Sequence, residues 1–340
     1  MTLCFQFAPL YAEPGRRFVF YNPSMSTSLS RRGFAGLLAA GAIAGASGCG
    51  SEPPEPEQAA SKPLKIIDPH VHVWVNDPAY PWPEENKNPP KEDATAEMLL
   101  DLMATHGVVH TVIVHPFHYR WDCRYVGDVM KKYPDKFQGV CRVNPEARDA
   151  ADELSKWTEE WGFKGVRLSP SVSEVGNWIT NNELMDPIWD RAEQLGVPML
   201  ILTKTGRLPD VQKHIEKHPD MDVVIDHMAD CKTTDPPEEL QKLLTLATFP
   251  RVYCKISHTW SISDEPYPHR DTWDQVKTVY DAFGPNRIMW GTDWPVSKRK
   301  IDYVKTLEIV RDEMDFFNDE DLEWILSKTI ERLWPFPEAA

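Results

Sequence analysis

His70 and His72 stand two residues apart in the run Ile67-Asp68-Pro69-His70-Val71-His72-Val73-Trp74. In an extended strand, residues i and i+2 share a face, so both imidazoles point the same way. Two imidazoles side by side suit a borderline divalent cation such as zinc. The pair alone is weak, because two ordinary polar residues at a strand end give the same pattern. A second candidate lies far down the chain in Arg287-Ile288-Met289-Trp290-Gly291-Thr292-Asp293-Trp294-Pro295. A carboxylate beside two imidazoles either completes a metal site or takes a proton from a water. Taken alone, Asp293 reads as a cap or turn residue. His227, preceded by Asp226, can be a metal ligand, an acid polarising a carbonyl, or a histidine satisfying a loop backbone. Arg167 in Gly165-Val166-Arg167-Leu168-Ser169 can clamp a substrate carboxylate through two parallel hydrogen bonds, or serve a structural ion pair. Lys255 and Ser257 share a strand face and carry the same two readings. His115 and His118 flank a strand end and read as pocket wall or bystanders; His106, His214 and His218 fall on helices or their ends and read as solvated.

These residues need a scaffold that brings distant segments together. From Pro63 onward, short β-rich runs alternate with amphipathic helical stretches, the pattern of a parallel α/β sheet. Strands are expected at 64–73, 110–116, 138–144, 164–169, 198–203, 222–226, 252–257 and 287–291. Helices are expected at 94–105, 123–132, 148–161, 182–195, 209–217, 237–248 and 273–283, with 301–314 and 319–333 closing the chain. Eight such units are the count and size of a (β/α)8 TIM barrel, a single domain spanning 63–340. In a closed barrel the eighth strand pairs with the first, which would set Asp293 beside His70 and His72. The competing architecture, a doubly wound open sheet, needs a Gly-rich turn after its first strand to hold a nucleotide, and Asp68-Pro69-His70-Val71-His72 is not one. The irregular stretch 76–92 follows the first strand and reads as a lid or binding wall, or as a plain surface excursion.

The first- and eighth-strand runs resemble signatures of the amidohydrolase superfamily. The nearer resemblance is to the amidohydrolase-related branch that contains 2-pyrone-4,6-dicarboxylate lactonase, sugar-lactone hydrolases and amino-carboxymuconate-semialdehyde decarboxylase. Asp226-His227-Met228 resembles the sixth-strand Asp-His of that branch, and Tyr253-Cys254-Lys255-Ile256-Ser257 its seventh-strand Lys-x-Ser. The resemblance spans most of 63–336. It implies a working centre of His70, His72, His227 and Asp293, with His70, His72 and Asp293 as metal ligands, Asp293 and His227 as catalytic groups, and Arg167, Lys255 and Ser257 toward the substrate. Many metal-dependent members place a histidine at the end of strand 5, but Leu200-Ile201-Leu202-Thr203-Lys204-Thr205-Gly206 has none. Lys204 is a candidate for the carboxylated lysine that some relatives use. Some lactonases of this branch work without a metal, so both a zinc-dependent and a metal-free mechanism stay open. The implied activity is attack of water on the carbonyl of a small cyclic ester or related carboxylate-bearing metabolite. Decarboxylation, amide hydrolysis and a non-catalytic binding lipoprotein are the alternatives.

The first 62 residues differ from the rest. Ser30-Arg31-Arg32-Gly33-Phe34 resembles a twin-arginine export motif, and a Gly/Ala-rich run from Ala35 to Ala46 follows, far short of the ~20 apolar residues that span a bilayer. Ala46-Ser47-Gly48-Cys49 resembles a lipobox with Ala where Leu is usual, and 50–62 is a Pro/Glu-rich tether. The order of these features predicts that 1–49 is a lipoprotein signal, with Met25 a natural start, and that the mature domain is periplasmic and touches the membrane only through a lipid on Cys49; a disordered tail with an accidental Arg pair is the alternative. The chain carries 37 basic and 52 acidic residues, a formal charge of −15. Without 1–49 four arginines and one glutamate are gone and the charge is −18. Such acidity disfavours nucleic acid as a partner and leaves a small molecule as the expected ligand. Six cysteines without a C-x-x-C pair exclude a disulfide scaffold or zinc finger, and the four beyond residue 62 read as small core residues.

Overall fold

The computed structural model of the chain describes residues 63–170 and 178–337. The expected export signal and tether lie outside the described residues. Eight parallel strands follow one another: β1 (Ile66–Val71), β2 (Val108–Val114), β3 (Phe137–Val140), β4 (Val166–Leu168), β5 (Met199–Ile201), β6 (Val223–Ile225), β7 (Val252–Lys255) and β8 (Ile288–Met289). They form a three-stranded run β1-β2-β3 and a five-stranded run β4 to β8. Two parallel bridges, Cys141 to Val166 and Val71 to Trp294, join the runs at both ends and close the ring. Each expected strand is present. Most are shorter than the sequence suggests, the chain entering the ladder later or leaving it earlier than expected.

The nine expected helical stretches are also present. Asn182–Leu195 and Trp273–Phe283 match to the residue. Ala96–His106 starts where the Thr95 hydroxyl accepts from the Met98 N–H at 3.3 Å and stops at Gly107, whose φ of 71° is cheap only for glycine. Apart from Val109 and Gln138, the strand residues are buried on both faces, as a parallel barrel inside a helical ring requires. Cys123, Cys141, Cys231 and Cys254 are free and buried in that packing. His214 and His218 are buried, not solvated: both rings stack on Trp189, at 5.2 and 5.8 Å, and the His214 Nε2 lies 2.7 Å from the Ile179 carbonyl. No helix among the described residues is long and apolar enough to cross a membrane.

The stretch 76–92 is held as a wall. An antiparallel bridge between Trp74 and Ala94 closes its base, the Trp82 ring stacks on Tyr119 at 4.4 Å, and the Tyr80 hydroxyl donates to Asp128 at 2.8 Å.

The seam between β8 and β1 is tied by side-chain hydrogen bonds. The Trp290 indole N–H donates to the Ile67 carbonyl at 2.7 Å, and the Asp68 carboxylate accepts from the His70 N–H, the Thr292 N–H and the Thr292 hydroxyl at 3.1, 3.2 and 2.6 Å. Gly291 lies so close to β1 that a Cβ there would meet the His70 Cβ at 3.1 Å. Trp290 is wholly buried, so Trp290→Phe keeps the packing while stranding the Ile67 carbonyl. Chemical denaturation should register a loss of about 1–3 kcal/mol, the cost of one unsatisfied buried polar group. An unchanged unfolding midpoint would mean that the indole bond does not hold the seam.

Candidate active site

Asp293 sits two residues beyond Gly291, with φ at 55°, a left-handed conformation that turns its carboxylate back across the seam. Its Oδ1 lies 3.1 Å from His72 Nε2 and 3.5 Å from His70 Nε2, and its Oδ2 lies 2.7 Å from His258 Nε2. All four groups are within or next to the β1, β7 and β8 ends. His258 is also left-handed, with φ at 72°, three residues past β7. After β6 the chain makes a full left-handed turn: His227, Met228, Ala229 and Asp230 have φ of 53°, 51°, 55° and 48°. Four consecutive non-glycine residues in that conformation cost roughly 1–2 kcal/mol each, and the packing of buried Met228 and Ala229 holds them there. The turn stacks the His227 ring on His258 at 4.1 Å and sets it 4.5 Å from His70.

The charges are paired into two groups. Burial opposes the positive form of His258, but Asp293 and Asp230 outweigh it and lift its pKa to about 9. Asp293 is pushed up by burial and pulled further down by His258 and His72, ending well below the usual carboxylate range, so it is ionised. The second group is centred on Asp226, fully buried, with Arg167 Nε at 2.8 Å on Oδ2 and Lys255 Nζ at 3.0 Å on Oδ1. Lys255 Nζ lies 2.9 Å from His70 Nδ1 and thus links the two groups. Ser257 Oγ lies 2.8 Å from His227 Nδ1.

The structure therefore brings His70, His72, His227 and Asp293 into one cluster and sets Lys255 and Ser257 directly behind it. Arg167 uses Nε for Asp226, the ion-pair arrangement. Lys204 is exposed on the rim of a cavity shared with Asp230 and Lys232; the lysine against the histidines is Lys255.

The amidohydrolase family model matches residues 67–336. The chain belongs to the amidohydrolase family. A relative from Burkholderia ambifaria, L-fucono-1,5-lactonase, is 29% identical over 68% of this chain and 81% of its own length. The 2-pyrone-4,6-dicarboxylate hydrolase of Comamonas testosteroni is 29% identical over 68% of this chain and 77% of its own. A solved amidohydrolase from Burkholderia multivorans with bound zinc superposes with a TM-score of 0.65 at 22% identity, covering 80% of this chain and all of that one.

Members of this family commonly use a metal, and the donor set here fits one. His70, His72 and Asp293 offer ligand atoms all within 4.8 Å of one another, as do two overlapping sets, His70 with Asp226 and His227, and His227 with His258 and Asp293. The Val114 carbonyl can only accept, so His72 Nδ1, 2.7 Å away, carries the proton and Nε2 presents its lone pair to Asp293 Oδ1. Two facing lone pairs at 3.1 Å call for a cation or a proton between them. The buried His70 Nε2 has no hydrogen-bond partner among the described residues and faces Asp293 Oδ1 at 3.5 Å; with the Lys255 ammonium donating to Nδ1, Nε2 carries the ring proton and would give it up to serve as a ligand.

His258 is the amidohydrolase residue that the sequence reading missed. Its signal was position alone, one residue past the Lys-x-Ser of β7 on the mouth side. Asp226 offers a test of the buried pairing. Asp226→Asn leaves Arg167 and Lys255 buried without a counter-charge and should lower stability by about 3–5 kcal/mol in denaturant unfolding. A loss under about 1 kcal/mol would place those two cations in contact with solvent.

Proposed function

We propose that the protein is a lactonase, hydrolysing the ring ester of a small cyclic substrate with an activated water. The observation that carries this reading is the ionised, buried Asp293 with one oxygen turned to His70 and His72 and the other fixed by His258. The two relatives named for lactone hydrolysis support the ester as the bond attacked, ahead of decarboxylation or amide cleavage. Asp293 takes a proton as the water oxygen bonds to the ring carbonyl carbon, and the ring C–O bond then breaks with that proton delivered to the departing alkoxide. His227 is held neutral by burial and by its neighbours His258 and His70. With the Ser257 hydroxyl donating to Nδ1, His227 keeps its proton on Nε2 and can hydrogen-bond the carbonyl oxygen as charge builds there. A divalent ion on His70, His72 and Asp293, with zinc the best match to two nitrogens and one oxygen, would add Lewis-acid polarisation of the water or the carbonyl. Arg167, Lys255 and Ser257 support the cluster from behind, Arg167 and Lys255 by holding Asp226 and Ser257 by orienting His227.

Asp293→Asn keeps the size of the side chain and removes its basicity. It should lower kcat on a responsive lactone by about 10²–10⁴-fold in a protein that still folds but melts lower, because buried His258 loses its counter-charge. Metal content measured on the same samples separates the two roles: retained metal with lost kcat marks a base, and loss of both marks a ligand. A variant that melts lower yet turns over normally would remove Asp293 from the mechanism and leave a turn residue. Absence of turnover across a panel of lactones, amides and aromatic carboxylates would favour the binding-lipoprotein alternative.

The reading extends to location. The Arg pair, Gly/Ala-rich run, Cys49 and Pro/Glu tether support export by the twin-arginine route and lipid attachment at Cys49. Changing Arg31 and Arg32 together to Lys should retain the precursor in the cytoplasm. Undiminished export of that double variant would refute the route, and a mature N-terminus away from Cys49 would refute the anchor.

A further inference from the structure

Arg142 lies just past β3, and only 2% of it is exposed. The pairing of Cys141 with Val166, reinforced by Arg167 N–H donating to the Cys141 carbonyl at 2.9 Å, sets Arg142 and Arg167 side by side on one face of neighbouring strands. That is the face from which Arg167 reaches Asp226, so Arg142 also points into the barrel mouth. The rings of Phe117 and Trp121, from the loop after β2, flank its guanidinium at 5.0 and 5.3 Å. Among the described residues no carboxylate lies within ion-pair distance of it, and its buried Nε has no hydrogen-bond partner. Burial, followed by the repulsion of Arg167, pulls its pKa down to about 9, so it remains charged at neutral pH. Next to it His115 is wholly buried.

An unpaired guanidinium at that depth is costly, and proteins rarely keep one without a use. Asp293 is matched by His258, and Asp226 is shared between Arg167 and Lys255, so the mouth holds a surplus of positive charge on its β3–β4 side. We propose that Arg142 binds a carboxylate carried by the substrate, at a subsite across the mouth from Asp293, and so selects anionic over neutral cyclic esters. A planar carboxylate matches the guanidinium fork, and the aromatic walls keep water from competing for it. The identity of the scissile ring rests on the lactonase reading; the anion subsite does not.

The test therefore begins with binding, using the full chain. Titration calorimetry compares succinate with succinamide on the wild type, Arg142→Gln and Arg142→Lys, and each protein is also melted. Succinate affinity should fall roughly 10–100-fold in Arg142→Gln, with an intermediate loss in Arg142→Lys, which keeps the charge without the fork, and succinamide should not distinguish the three. Arg142→Gln should melt no lower than the wild type, since it removes a buried charge that lacks a partner. Succinate binding equal in all three proteins would overturn the proposal, as would an equal loss of succinate and succinamide, or a lower melting temperature in Arg142→Gln with succinate affinity kept. A second arm measures kcat/KM on a neutral lactone and its carboxylated counterpart. Arg142-dependent succinate binding without turnover of either lactone would refute the hydrolase reading alone. Turnover of both with equal kcat/KM, unchanged in Arg142→Gln, would refute the subsite alone.

Discussion

Two backbone hydrogen bonds tie the first strand to the residues just past the last: Asp293 N–H to the His70 carbonyl at 2.8 Å, and His72 N–H to the Trp294 carbonyl at 2.7 Å. The residues that close the ring are the residues that carry the chemistry, so ring closure and site assembly are one constraint. Asp68 enforces it from within the seam by gathering the backbone of His70 and Thr292 onto one carboxylate. Gly291 permits it, because any side chain there would press on His70. The three facing groups, His70, His72 and Asp293, thus have their spacing set by main-chain pairing, which is stiffer than any contact between side chains.

The second determinant is where the buried charges are balanced and where they are not. Around Asp293 the carboxylate and the His258 imidazolium offset each other, which keeps the carboxylate ionised in a dry setting. Around Asp226 a single carboxylate serves two cations and leaves the rest of the β3–β4 wall positive. The chain as a whole is strongly acidic, so the sign of the mouth is opposite to that of the surface. A small anion is repelled at long range and held at short range, a combination that favours selectivity over capture rate.

Much of this was legible in the sequence, for identifiable reasons. Strand parity put His70 and His72 on one face, and the count of eight units predicted that Asp293 would meet them; both inferences depend only on backbone geometry. His258 was not legible, because its imidazole reaches Asp293 only through a left-handed backbone that no local pattern announces. Arg142 was hidden for a different reason: whether a strand-end arginine is paired depends on which acids the register brings near, and here it brings none. His214 and His218 were misread although their spacing held the answer. Four residues apart at the end of one helix, they share a face, and that face packs on Trp189.

Closure by the last strand also has a consequence in time. Synthesis at about 5–20 residues per second delivers Asp293 roughly 10–40 s after His72. Through that interval the growing chain displays the two imidazoles without the one carboxylate that faces them both. Only when the eighth strand arrives does the pair gain an ionised oxygen and a dry enclosure. Any choice of ion at that site would therefore fall to the finished barrel, after the ribosome has released nearly all of it, and a chain truncated before β8 would carry the histidines without the carboxylate that faces them.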